Sequence, residues 1–312
     1  GGVVDLDFAP DGIQLAIGLR NGEIWLWNLD PGESAIPEFL TKEGGSSLAS
    51  VRFSPGGVLL AAAWADGVVQ LWNLDARRRV GNRNLDEAAT GWGDVLAFSP
   101  DGTRLAWAVA ESKDEDRNDK TFVIKIQNID EVGDRSAQKS NMRLEGLHTG
   151  AIYGLAFSPN GRRLASVGDD YQLVITDLST PNPEESAFRP EVFHTNRINT
   201  VAFHPAGELI ATGGRDGRIV IWDVNQRAAI AELTEHGETR SHPLYVNRVL
   251  FPDGDPVLLS SGDDGRVLKW QVSEQHWRDR ARELAGRDLS QKEACEYLGG
   301  AKLAQVGTGC GP

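Results

Sequence analysis

The chain is poor in several things that would each announce a protein class. Its two cysteines, Cys295 and Cys310, both lie near the C-terminus of 312 residues. No Cys-x-x-Cys pair or Cys/His cluster offers a zinc set, so no metal is expected. So few thiols leave room for one disulfide at most and fit a reducing, cytoplasmic compartment. No apolar run nears the roughly 20 residues that span a bilayer, which argues against a membrane role. Clustered basic residues are also scarce. The net charge is −13, and the richest basic run is Arg77-Arg78-Arg79. Nucleic-acid binding needs clustered cations that release counterions, so it is not expected, and that run reads as a solvated loop. There is no Gly-rich phosphate loop and no nucleophile elbow, so no cofactor is expected. The only methionine is Met142 and the first residue is Gly1. The chain therefore reads as a processed product or a fragment.

What is present is repetition. Six segments carry an apolar stretch that ends in Phe, most of them followed by a Pro/Asp/Asn/Gly turn: VVDLDFAPDG, LASVRFSPGG, DVLAFSPDG, IYGLAFSPNG, INTVAFHPAG and VNRVLFPDG. Their phenylalanines are Phe8, Phe53, Phe98, Phe157, Phe203 and Phe251, spaced 45, 45, 59, 46 and 48 residues apart. That period is the length of a four-stranded propeller blade and not of a helical repeat. Each unit continues with a small-residue strand, an Asp-Gly or Asn-Gly turn, and a strand rich in Val, Ile and Trp, as in ELIATGG-RDG-RIVIWDV. Those turn residues tolerate positive φ and mark hairpins. Strands apolar on both sides suit blades packed face to face. The reading is an all-β propeller of about six four-stranded blades over residues 1–273, or seven if an upstream piece is missing.

The pattern resembles the WD-repeat (tryptophan–aspartate) family. Trp222-Asp223 carries its signature pair, and Trp27-Asn28, Trp72-Asn73, Trp270-Gln271 and Thr176-Asp177 match more loosely. The resemblance implies a buried hydrogen-bonded chain of His, Ser/Thr, Asp and Trp within a blade. His194, Thr212, Asp216 and Trp222 form one such set; His242, Ser260, Asp264 and Trp270 form another. The fourth unit keeps His148, Ser166 and Asp170 but has Thr176 in place of Trp. In the first units Ile17 and Ala62 replace the hydroxyl, and the third has lost the pattern around Gln127-Asn128. Such a His/hydroxyl/Asp set imitates a hydrolytic triad. Its recurrence at one spacing instead favours a structural network in which every polar group has a partner.

The third interval exceeds the first two by 14 residues, and the excess falls on Glu111–Lys120, ESKDEDRNDK. So charged a stretch cannot offset its ordering entropy and reads as a surface loop. From Ser273 onward the apolar spacing turns helical, with Trp277, Ala281, Leu284 and Ala285 followed by a capping box at Ser290 and Glu293. Residues 274–312 are expected to form a helical hairpin and tail packed on the propeller. This tail resembles one that closes the WD-repeat region of many large bacterial signalling and effector proteins. The matching residues are Trp277, Ala285, Arg287, Leu289, Ser290, Glu293, Tyr297, Leu298 and Cys310, with Ala294 where a Trp is common.

Propellers bind through loops at the ends of the ring. Two positions per unit project there. One lies six residues before the Phe, giving Trp92, Ala151, Arg197 and Tyr245; the other precedes the turn Asp or Asn, giving Arg20, Asp169, Arg215 and Asp263. Aromatics and Arg dominate interface energetics, so Trp92, Arg197, Arg215 and Tyr245 lead the candidates, with Arg20, Asp169 and Asp263 beside them. The expected function is a non-enzymatic scaffold that binds a protein partner or ligand, or an upstream domain of its own polypeptide, as the C-terminal regulatory part of a larger bacterial protein. The alternative is a propeller hydrolase or lyase with its site in the central channel.

Overall fold

The computed structural model describes residues 2–30, 36–42, 46–80, 86–87, 95–112, 120–129, 142–191, 193–233, 244–252 and 257–272. They form six antiparallel sheets in chain order. Blade 1 holds β1 (Val3–Phe8), β2 (Gln14–Leu19), β3 (Glu23–Asn28) and β4 (Glu38–Lys42). Blade 2 holds β5 (Leu48–Phe53), β6 (Leu59–Trp64), β7 (Val68–Asn73) and β8 (Arg78–Arg79), with β9 (Asp86–Glu87) also on β7. Blade 3 holds β10 (Leu96–Phe98), β11 (Arg104–Ser112), β12 (Lys120–Asn128) and β13 (Met142–Leu144). Blade 4 has β14 (Ile152–Phe157), β15 (Arg163–Gly168) and β16 (Leu173–Asp177), with a bridge from Ile175 to Phe188 at the outer position. Blade 5 has β17 (Ile198–Phe203), β18 (Leu209–Gly214), β19 (Ile219–Asp223) and β20 (Ala228–Leu233). Blade 6 has β21 (Val246–Leu250), β22 (Val257–Gly262) and β23 (Val267–Gln271). Among the described residues no helix is long and apolar enough to cross a membrane. The helical hairpin expected over 274–312 lies outside the described residues.

The repeated Pro/Asp/Gly turns set where each innermost strand stops. Gly12, Gly57, Gly102, Gly161 and Gly207 all sit at φ between 67° and 76°, a region open to glycine at no steric cost. Their N–H groups close the turn onto the carbonyls of Ala9, Ser54, Ser99, Ser158 and His204 at 2.7–2.9 Å. Asp11, Asp101 and Asn160 each accept the N–H two residues on, which is why a short acceptor precedes the glycine.

Burial then assembles the blades. In β19, Ile219 and Ile221 join the cluster shared with blade 6, whereas Val220 and Trp222 join the one shared with blade 4. Period-2 alternation thus sends neighbouring side chains to opposite junctions, and both faces must be apolar. Buried clusters span blades 1 and 2, blades 2 to 4, blades 4 and 5, and blades 5 and 6. The insertion in blade 3 lengthens a hairpin. Its ends, Glu111 and Lys120, continue β11 and β12 and do not belong to a loop; residues 113–119 lie outside the described set. Glu111 accepts from Arg143 at 2.6 Å and Lys125 at 2.8 Å, and the Arg143 hydrogen bond leads the causes that hold its carboxyl at about 2.

Candidate functional site: an arginine–tyrosine rim

The starts of the innermost strands of blades 4 to 6 bring side chains to one end of the ring. Arg197 and Tyr245 stand six residues before their phenylalanines; Tyr153, Asn199 and Asn247 stand four before theirs. The first position lies just before the strand and the second at the register irregularity that opens it, and both reach the same mouth. There they line a cavity of about 510 Å³ together with Arg215, Asp263 and the start of β1. Four of the seven residues expected at the rim are therefore brought together: Arg197, Arg215, Tyr245 and Asp263. Arg20 and Asp169 are exposed and stand outside this lining. Trp92 lies outside the described residues. Tyr153, Asn199 and Asn247 were missed, although the signal was available: they repeat at one offset from the phenylalanine, two residues nearer than the offset considered.

The rim is held in place from below. The Arg215 N–H donates to the Arg197 carbonyl at 2.9 Å, and the Asp263 N–H donates to the Tyr245 carbonyl at 2.9 Å. Asn199 Nδ2 donates across the junction to the Val246 carbonyl at 2.8 Å, and Asn247 Nδ2 donates to Asp263 Oδ1 at 2.7 Å. Arg197 donates from Nε to Asn199 Oδ1 at 3.0 Å and lays its guanidinium 4.2 Å from the Tyr153 ring centre. Arg215 lies 4.8 Å from the centre of the Tyr245 ring. Each cation is thus stacked on an aromatic of a neighbouring blade, an arrangement that restricts the side chain and leaves the guanidinium edge for a ligand. Among the described residues, neither guanidinium has a carboxylate within ion-pair distance.

The recurring polar sets lie inside the blades and do not line this mouth. In blade 5, His194 Nδ1 faces Asp216 Oδ2 at 2.9 Å and its Nε2 faces Thr212 Oγ1 at 2.8 Å; Trp222 Nε1 donates to the same hydroxyl at 2.8 Å. Asp216 also accepts from the N–H groups of Thr195 and Arg218. Burial by itself would raise the Asp216 carboxyl, but the His194 hydrogen bond and these N–H groups outweigh it and hold it below the ordinary range. Blade 4 repeats the set with His148, Ser166 and Asp170 at 2.8 and 2.9 Å, and Asp170 is lowered by the same balance. The hydroxyls of Thr212 and Ser166 are fully buried, so neither can meet a substrate as a nucleophile. In blade 6, Trp270 Nε1 donates to Ser260 Oγ at 2.9 Å, and Asp264 Oδ1 accepts from the Arg266 N–H at 3.0 Å; His242 lies outside the described residues. Among the described residues no group of three or more His, Cys, Asp or Glu could hold a metal ion.

Comparison with known proteins matches this architecture. The family described as WD domain, G-beta repeat, matches residues 39–73, 142–177 and 191–223. The first two segments start on the outermost strand of one blade and end on the third strand of the next, so the sequence repeat is offset from the blade. No curated protein matches the chain. A chain in a solved structure described as the crystal structure of the mitotic checkpoint complex superposes with a TM-score of 0.65 at 21% identity, covering 86% of this chain and 75% of that one. At that identity the likeness speaks to the fold. The described residues form a six-bladed β-propeller in which three segments match the WD40 repeat.

Proposed function

We propose that the chain is a non-catalytic interaction module whose arginine–tyrosine mouth captures an acidic segment of a protein partner. The observation that carries this reading is the pair Arg197 and Arg215, each stacked on a tyrosine and each without a carboxylate partner among the described residues. In a chain of net charge −13, this concavity is lined by three arginines, Arg197, Arg215 and Arg248, against two carboxylates, Asp5 and Asp263. Planar guanidinium groups held in this way suit bidentate carboxylate recognition. WD40 propellers typically bind protein partners, which agrees. The tail resemblance supports a finer version, in which the module is the C-terminal, cytoplasmic regulatory part of a larger bacterial signalling protein and can engage an upstream domain of that polypeptide.

The test is capture from lysate of the source cells by photo-crosslinking at position 199. The Arg197→Ala/Arg215→Ala double variant should lose the crosslinked species, and added salt should weaken capture by the wild type. Arg20→Ala, outside the cavity, should retain it. Undiminished capture by the double variant would reject this mouth as the binding surface.

A further inference from the structure

A second cavity, of about 600 Å³, opens at the other end of the ring, where the innermost strands stop. The phenylalanines that end those strands surround it, joined in blades 1 to 5 by the prolines two residues beyond them. Its inner wall is set by the residue just before each Phe: Asp7, Arg52, Ala97, Ala156, Ala202 and Leu250. Blades 3, 4 and 5 thus contribute only a methyl group each, which leaves room on their side. Blades 1 and 2 contribute charge at the same level, and Arg248 of blade 6 joins them from two residues deeper. Among the described residues that line the cavity, Asp7, Arg52 and Arg248 carry all of the charge. A concavity of this size, mostly apolar with a few convergent polar groups, is the usual form of a small-molecule site.

The charged end is richer in donors than in acceptors. Arg52 donates to Asp5 Oδ2 at 2.6 Å and to the Val51 carbonyl, and Arg248 donates to Asp5 Oδ1 at 3.3 Å. Two guanidiniums carry about ten N–H donors, and two carboxylates about eight acceptor sites. Asp5 already accepts the backbone N–H groups of Leu6 and Val51, and Asp7 that of Phe53. Asp5 lines the arginine–tyrosine mouth and not this cavity, so two cations face it against Asp7 alone. Burial raises the Asp7 carboxyl in spite of both arginines, so that group holds its negative charge less firmly than an exposed carboxylate does.

From this polarity we infer that the cavity is a ligand site separate from the arginine–tyrosine mouth, and that it takes an apolar monocarboxylic acid. The apolar chain lies along the wall of Ala97, Ala156 and Ala202, and the carboxylate reaches the guanidiniums of Arg52 and Arg248. A planar guanidinium suits a carboxylate in geometry and in charge. A neutral apolar molecule would fill the alanine side and leave the cations to water, and a cationic one would meet two like charges. Arg248 also lines the mouth, whereas the three alanines line only this cavity. The alanines therefore report which of the two cavities an acid occupies.

Octanoate and octan-1-ol are the probes, titrated by calorimetry into the 312-residue chain. Octanoate should bind saturably, and the alcohol about tenfold or more weaker for want of a charge-assisted hydrogen bond. Ala156→Leu/Ala202→Leu fills the wall with the side chain that Leu250 already places at this position, and should weaken octanoate binding by about tenfold or more. Ala202→Cys, in a chain with Cys295 and Cys310 changed to Ser, gives a reading that needs no added bulk. Octanoate at about ten times its Kd should slow the reaction of that thiol with maleimide by about tenfold. Arg197→Ala/Arg215→Ala, in the opposite mouth, should bind octanoate as the parent does. The proposal is overturned if octanoate does not bind, if octan-1-ol binds as tightly, or if octanoate leaves the Ala202→Cys thiol as reactive as before. Loss of octanoate binding in the arginine double variant would equally overturn it, by placing the acid in the other mouth.

Discussion

Thr212 and Thr176 provide a matched pair for the claim that the recurring polar sets are structural. Both are fully buried threonines on blade strands. The Thr212 hydroxyl accepts from Trp222 Nε1 and meets His194 Nε2, both at 2.8 Å. The Thr176 hydroxyl stands where the Trp of the set would be, and among the described residues it has no hydrogen-bond partner. Valine has nearly the shape of threonine, so Thr→Val removes the hydroxyl and leaves little cavity. At 212 it strands two buried groups, each costing about 1–3 kcal/mol, so a destabilisation of roughly 2–6 kcal/mol is expected. At 176 it removes an unpaired polar atom, so the change should lie between neutral and about 1–2 kcal/mol stabilising. Urea unfolding of the three proteins, followed by far-UV circular dichroism, measures the difference. A Thr212→Val variant within about 0.5 kcal/mol of wild type, or two substitutions of equal cost, would show that the polar set does not hold the blade.

The same sets predict a pH dependence. Asp170 and Asp216 have folded pKa values below their unfolded ones, so their contribution is complete above pH ~4 and is lost as pH falls through the folded values. The gap in urea midpoint between wild type and an Asp170→Asn/Asp216→Asn variant should therefore close as the solution is acidified; a gap that widens would contradict the sign. Tyr171 occupies the turn position held by Gly22, Gly67, Gly217 and Gly265 elsewhere, with φ of 64° and an exposed side chain. Left-handed backbone at a non-glycine residue costs about 1–3 kcal/mol, so Tyr171→Gly should be neutral to stabilising, read as an unchanged or raised melting temperature. A methyl group on Gly213 would lie 2.5 Å from Val246 Cγ1 and 3.0 Å from Thr200 Cγ2. Gly213→Ala should cost about 1–3 kcal/mol in a urea titration by forcing blades 5 and 6 apart.

The sequence made the blades legible because one physical requirement repeats six times: an apolar strand, a positive-φ turn, and a strand buried on both faces. The Phe and Gly positions report that requirement directly, and blade 5 matches its reading residue for residue. Half of the rim was equally readable, since Arg197, Arg215, Tyr245 and Asp263 follow from offset counting. Tyr153, Asn199 and Asn247 escaped because aromatic and amide residues in a strand look like filler until the offset two residues further along is counted. Arg20 and Asp169 share their sequence position with Arg215 and Asp263 yet stay outside the cavity. Offset along one strand does not report which neighbouring blade supplies a tyrosine to stack on. The sequence left the count at six or seven blades, and the exposure of the first strand was not legible in it. Val3, Leu6 and Phe8 match their buried counterparts in type, and only packing shows them exposed.

Amide hydrogen exchange of the chain alone and with its captured partner tests most directly that the mouth is the working surface. New protection is expected at residues 197–199 and 245–247, with the outer strand 228–233 unchanged. Protection confined to the outer strands, with the Arg197 and Tyr245 segments exchanging as before, would contradict it.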